Sequence, residues 1–82
     1  MQVTLYTKPG CHLCEETKAD LQVLQAEIGF ILHECNIETE QTLLEQYRYL
    51  IPVVDIEQGP LFYAPIDIYE LRRSIERSAH EI

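Results

Sequence analysis

Polar and apolar residues alternate from Gln2 to Thr7, with Val3, Leu5 and Tyr6 apolar, and this period predicts a strand that Lys8-Pro9-Gly10 then breaks. From His12 to Ile28 the apolar positions Leu13, Leu21, Leu24 and Ile28 recur at helical spacing, while Glu15, Glu16, Lys18, Gln22 and Gln25 take the other side. That pattern predicts an amphipathic helix stopped by Gly29. Phe30 to Cys35 reads as a second strand. Strand, helix and strand in this order predict a right-handed parallel crossover.

Thr39 is the expected N-cap of a short helix with Leu43, Leu44 and Tyr47 on one face, a helix that cannot continue past Pro52. Two short apolar runs, Pro52 to Ile56 and Leu61 to Ala64, flank Glu57-Gln58-Gly59-Pro60, a connection suited to an antiparallel hairpin. Pro65 is expected to open a final helix that buries Ile68, Leu71, Ile75 and Ala79 and turns Glu70, Arg72, Arg73, Glu76 and Arg77 to water. The order is β-α-β-α-β-β-α, and the architecture that best accommodates it is a four-stranded sheet with helices on both faces.

Composition sharpens this picture without changing it. The 82 residues suffice for one domain covering 1–82. Apolar residues make up 46% of the chain and run along its whole length, so no segment has the composition of a disordered tail. The N-terminal residues lack the basic start and apolar run of a secretory signal, and no stretch is long enough to span a bilayer. We expect a cytoplasmic protein. A net charge of −8 has the wrong sign for nucleic acid or an anionic membrane, so neither is an expected partner. The charge is read as a solubility feature, and the chain as a monomer.

The chemistry is concentrated in Cys11-His12-Leu13-Cys14. In a reducing compartment such a pair is catalytic or metal-binding rather than a structural staple. Cys11 lies where the first strand's loop becomes helix, near backbone N–H groups that lack an intrahelical partner. Those donors and the positive end of the helix dipole favour a thiolate, and Lys8 and an imidazolium at His12 add positive charge. Cys11 is therefore the expected attacking thiol. Cys14, about one turn on, falls on the same side within bridging reach and is the expected resolving thiol. His12 is a candidate for tuning Cys11, the alternative being a solvated residue of the first turn.

The segment Leu5-Tyr6-Thr7-Lys8-Pro9-Gly10-Cys11-His12-Leu13-Cys14 resembles the active-site segment of the glutaredoxins, more closely that of the small glutaredoxin-like proteins of bacteria. Ile51-Pro52-Val53 matches the family's cis-proline motif, and the similarity spans nearly the whole chain. The resemblance implies a thioredoxin/glutaredoxin-like fold with sheet order 2-1-3-4. It also implies thiol–disulfide exchange in which Cys11 is the nucleophile, Cys14 resolves, Pro52 is cis and the Ile51 backbone pairs with bound substrate. Lys8 matches glutathione-binding members, and Asp67 is a candidate contact for a glutathione amine. No bound cofactor is implied; glutathione is a candidate co-substrate. The expected partners are a disulfide-containing protein and a reductant, either the glutathione system or a thioredoxin reductase.

The chain departs from glutathione-binding members at two places. It has His12-Leu13 where they carry an aromatic residue between the cysteines, and Tyr63-Ala64-Pro65 where they carry a Gly-Gly pair. Pro65 has no N–H to donate, and Ala64 is bulkier than the glycine that lets a tripeptide approach.

Cys35 is read as a buried small hydrophobe, His33 and His80 as surface residues, and the tyrosines as packing, with Tyr6 a candidate for the border of the site. No metal site is expected within the chain. Two other assignments stay open at this stage. One is a metal or iron–sulfur carrier in which the two cysteines supply part of the ligand set, and the other is a non-catalytic thioredoxin-like binding module.

Overall fold

The structure, a computed structural model, describes residues 1–80, so the last two positions of the expected 1–82 domain lie outside the described residues. Its elements are β1 (Gln2–Thr7), α1 (His12–Ile28), β2 (Ile31–Asn36), a 3₁₀ turn (Ile37–Thr39), α2 (Gln41–Tyr47), β3 (Val53–Ile56), β4 (Leu61–Tyr63) and α3 (Ile68–His80). The four strands form one sheet in the order β2-β1-β3-β4, with β1 parallel to β2 and antiparallel to β3, and β3 antiparallel to β4. This is the mixed sheet expected from the sequence, in the 2-1-3-4 order that the resemblance to glutaredoxins implies.

Register decides which side chains meet. Val3 lies opposite Ile56 and Leu5 opposite Val54, so all four point to one face of the sheet. There they pack with Leu21 and Leu24 of α1, Leu71 and Ile75 of α3, and Phe30 in the main core. The intervening residues point the other way. Tyr6 pairs with Val53 on the opposite face, where its ring meets that of Tyr47 from α2 with centroids 4.8 Å apart. Burial raises the Tyr6 phenol pKa above its ordinary range, with Tyr47 and Asp55 adding to the effect. Helices thus cover both faces.

Several boundaries differ from the sequence reading, each for a local reason. Leu13 is 56% exposed, because the inward stripe of α1 runs through Cys14, Thr17, Leu21 and Leu24, one position out of phase with it. The second strand runs over Ile31–Asn36 rather than from Phe30, whose side chain is buried in the core before the strand begins. Thr39 does not cap α2. It belongs to the 3₁₀ turn, where Asn36 Oδ1 accepts the Glu38 N–H at 2.9 Å and the Thr39 hydroxyl donates to the Asn36 carbonyl at 2.8 Å. Glu40 is the N-cap residue of α2 and makes no side-chain capping bond; Leu43 and Leu44 are half-buried.

The third strand begins at Val53 rather than at Pro52, and β4 stops at Tyr63 rather than Ala64. Pro65 does not open α3. The helix starts at Ile68, where Asp67 Oδ1 accepts the N–H groups of Tyr69 at 2.9 Å and Glu70 at 3.4 Å, so the capping carboxylate sets the start. Cys35 is half-buried rather than enclosed; it sits beside Tyr6 on the α2 face, on an edge strand. Arg72 does not simply face water: it donates to Glu27 Oε2 at 2.6 Å, tying α3 to α1 and holding the Glu27 carboxyl below its usual pKa.

The hairpin loop closes through the Gly59 N–H to the Ile56 carbonyl at 2.9 Å, with Gln58 in the left-handed region. A Cβ at Gly59 would lie 2.8 Å from Ser78 Oγ on α3 and 2.9 Å from Ile56 Cγ2. Ile56 is enclosed by the core and cannot yield easily. Gly59→Ala should therefore lose about 1–3 kcal/mol by overpacking, more than the roughly 0.4–1 kcal/mol that stiffening the unfolded chain returns. A urea midpoint lower than that of the parent is the expected reading, and an unchanged one would mean that the loop moves aside.

Candidate functional site

The turn after β1 delivers Cys11 to the start of α1. Gly10 takes φ 81°, a conformation open to glycine at little cost, and the Cys11 N–H donates to the Lys8 carbonyl at 3.3 Å. Cys11 itself is the N-cap, in extended conformation, and its Sγ accepts the Cys14 N–H at 3.2 Å. Its carbonyl begins the helical ladder by accepting from Glu15 N–H at 3.2 Å. A sulfur therefore occupies the place usually taken by a capping oxygen.

Cys11 and Cys14 are joined as a disulfide, with their Cα atoms 5.2 Å apart. The two residues differ in exposure. Cys11 is half-buried, whereas Cys14 is 1% exposed and belongs to the inward stripe of the helix. One residue of the bond meets solvent, and the other is enclosed by the fold.

The other residues singled out in the sequence lie around this pair at different depths. Lys8 and His12 are exposed. Lys8 lines a depression of about 150 Å³ together with Thr7, Pro9, Glu15, Glu34 and Asn36. Glu34 also binds Lys18 of α1 at 3.0 Å, and that hydrogen bond raises the lysine pKa. The Ile51–Pro52 peptide bond is cis; Pro52 is buried and Ile51 half-buried. Asp67 stands apart in function, since one of its carboxylate oxygens caps α3. His33 hydrogen-bonds Gln2 Oε1 at 2.8 Å, and His80 is exposed. Among the described residues no cluster of three or more His, Cys, Asp or Glu side chains converges on a metal-sized site.

Two features escaped sequence reasoning. The Ala64–Pro65 bond is also cis, and nothing in the local sequence distinguishes it from a trans bond. In addition, a cleft of about 200 Å³ brings Leu13 and Thr17 of α1 against Pro52, Ala64 and Pro65. The nearest sequence signal is the departure at Tyr63-Ala64-Pro65, which falls on its wall. No helix among the described residues is long and apolar enough to cross a membrane.

Comparison with known proteins agrees with this arrangement. Over 82 aligned residues the chain is 28% identical to the uncharacterized protein Rv0508 of Mycobacterium tuberculosis, covering 94% of this chain and 84% of that one. Protein Ne2328 of Nitrosomonas europaea has a similar solution structure, with TM-score 0.68, 32% identity and 80% of each chain covered. The X. campestris structural-genomics target XcR50 aligns with TM-score 0.73 at 25% identity, covering 87% of this chain and 91% of that one. Thioredoxin 1 of Thermosipho africanus shares the fold, with TM-score 0.76 at 16% identity over 95% of this chain and 93% of its own. The family described as Glutaredoxin-like domain (DUF836) matches residues 2–76, from the first strand through most of the last helix, and the chain belongs to that family.

Proposed function

We propose that this protein is a thiol–disulfide oxidoreductase that passes two electrons from the Cys11–Cys14 dithiol to protein or glutathione mixed disulfides. The observation that supports this most is the capping geometry, in which Cys11 Sγ accepts a helical N–H at 3.2 Å while bonded to a buried partner. A donor aimed at the sulfur stabilises its anion more than its protonated form.

In the reduced protein, Cys11 thiolate attacks one sulfur of the substrate disulfide. A mixed disulfide forms and the other substrate sulfur leaves as a thiolate. Cys14, losing its proton to solvent, then attacks Cys11 Sγ. The internal Cys11–Cys14 bond forms and the second substrate sulfur departs. The substrate gains two electrons and, from solvent, two protons; the protein has lost the same. Two thiols from the glutathione system, or the dithiol of a thioredoxin reductase, reopen the bond by the reverse exchange. Lys8 and His12 are exposed cations or potential cations close to Cys11 in sequence and favour its anion, and the backbone at Ile51 beside cis Pro52 is the proposed docking edge for substrate. The reaction suits a reducing compartment such as the cytoplasm.

The thiol pKa tests this reading directly. In the Cys14→Ser variant, alkylation by iodoacetamide followed by peptide mass spectrometry separates Cys11 from Cys35. Cys11 should titrate below the roughly 8.5 of free cysteine. A midpoint at or above that value removes the proposal.

A further inference from the structure

The cleft that Leu13, the residue between the two cysteines in sequence, shares with Pro52 has walls of unlike chemistry. Leu13, Glu16 and Asp20 lie along α1 at spacings of three and four residues, so they share one helix face. Across from them are Pro52, Pro65 and Ile66. Apolar surface therefore lines both walls, and two exposed carboxylates stand along one of them. Among the described residues neither Glu16 nor Asp20 is paired with a cation. Lys8, the cation nearest to Cys11 in sequence, lines the separate depression that holds Glu15 and Glu34.

We propose that this cleft receives the polypeptide next to the substrate's reacting cysteine, seating an aliphatic side chain against Leu13, Pro52, Pro65 and Ile66 and a lysine or arginine beside Glu16 and Asp20. The preferred substrate class is then a protein disulfide in a basic setting rather than a small anionic disulfide such as oxidised glutathione. This rests on the redox function proposed above and leaves its chemistry unchanged; the cleft selects which disulfide reaches Cys11.

Three observations carry the choice. The volume of about 200 Å³ is below the roughly 300–1,000 Å³ of pockets that enclose whole small ligands, and suits a side chain or two of an extended peptide. The two unpaired carboxylates attract a cation and repel the carboxylates of glutathione, and the net charge of −8 acts in the same direction at longer range. Finally, Pro65 supplies no backbone N–H to bind a carboxylate on the opposite wall.

The test uses the reduced full-length protein and four disulfides. Two are short peptides, identical except for Lys or Glu beside a Leu-Cys pair, each with its cysteine joined to mercaptoethanol. The others are hydroxyethyl disulfide, which is neutral, and oxidised glutathione. Each rate is divided by the rate of the same disulfide with dithiothreitol, which removes differences in intrinsic reactivity. Attraction in one case and repulsion in the other, from two exposed carboxylates, should give a Lys-to-Glu ratio of about tenfold in dilute buffer. The ratio should fall to about twofold in roughly 0.5 M salt, where screening reaches only a few ångströms. It should also collapse in the double variant Glu16→Gln, Asp20→Asn.

Equal rates for the two peptides, a ratio that survives in the double variant, or oxidised glutathione outpacing the lysine peptide would overturn the assignment while leaving the redox function standing. If hydroxyethyl disulfide is not reduced at all, the redox function fails and the selectivity fails with it.

Discussion

Replacing Cys11 with serine is expected to reduce disulfide-reductase turnover to background, while replacing Cys14 with serine should stop the cycle at a covalent intermediate. The asymmetry follows from the site. Cys11 is the more exposed residue of the pair and stands at the helix N-terminus, and a serine hydroxyl there is almost entirely protonated near neutral pH, so no nucleophile is left. Cys14 is 1% exposed, and its sulfur is placed to reach Cys11 rather than an external disulfide. The Cys14→Ser protein can therefore make the first exchange but not the second. Mass spectrometry of that variant after exposure to a disulfide should show one added substrate thiol on Cys11. Full dithiol-type turnover without Cys14, or an adduct on Cys35 instead, would contradict the scheme.

The second large effect concerns stability. Leu71→Ala should destabilise the fold by about 2–5 kcal/mol, through lost burial and the cavity left behind. Leu71 is 0% exposed and packs from α3 against both α1 and the sheet. For a chain of this length the total stability is on the order of 4–12 kcal/mol, so the variant should lose a large fraction of it. Leu13→Ala is the control. It removes the same atoms from a helix, but at a residue 56% exposed, and the expected change is within about 0.5 kcal/mol. Urea unfolding of both variants tests the pair; a similar loss at the two positions would mean that Leu13 is covered in solution.

These two leucines also mark how far periodicity can be trusted. Both sit at apolar positions in helices, and spacing alone assigns both to the core. The inward face of α1 is set by where the helix lies on the sheet, and that placement chose Cys14 and Thr17 instead. The consequence reaches the chemistry, because the same rotation buries Cys14 and leaves Leu13 free to line the cleft.

Local sequence carried a good deal by itself. The alternation over Gln2–Thr7, the helix ended by Gly29, the parallel crossover, the hairpin, and the cysteine pair at a strand-to-helix junction all follow from periods and turn residues that act within a few positions. The tertiary structure decided what depends on distant neighbours. The isomers at Pro52 and Pro65 belong to that group, since the two forms of an X–Pro bond differ by only about 0.5–1 kcal/mol and packing tips the balance. So does the choice of Asp67 over Pro65 to begin α3, and the half-exposed setting of Cys35 on an edge strand. The cleft is the clearest case. Its walls come from residues 13–20, 52 and 64–66, which no local pattern relates and which only the folding of α1 against the sheet brings together.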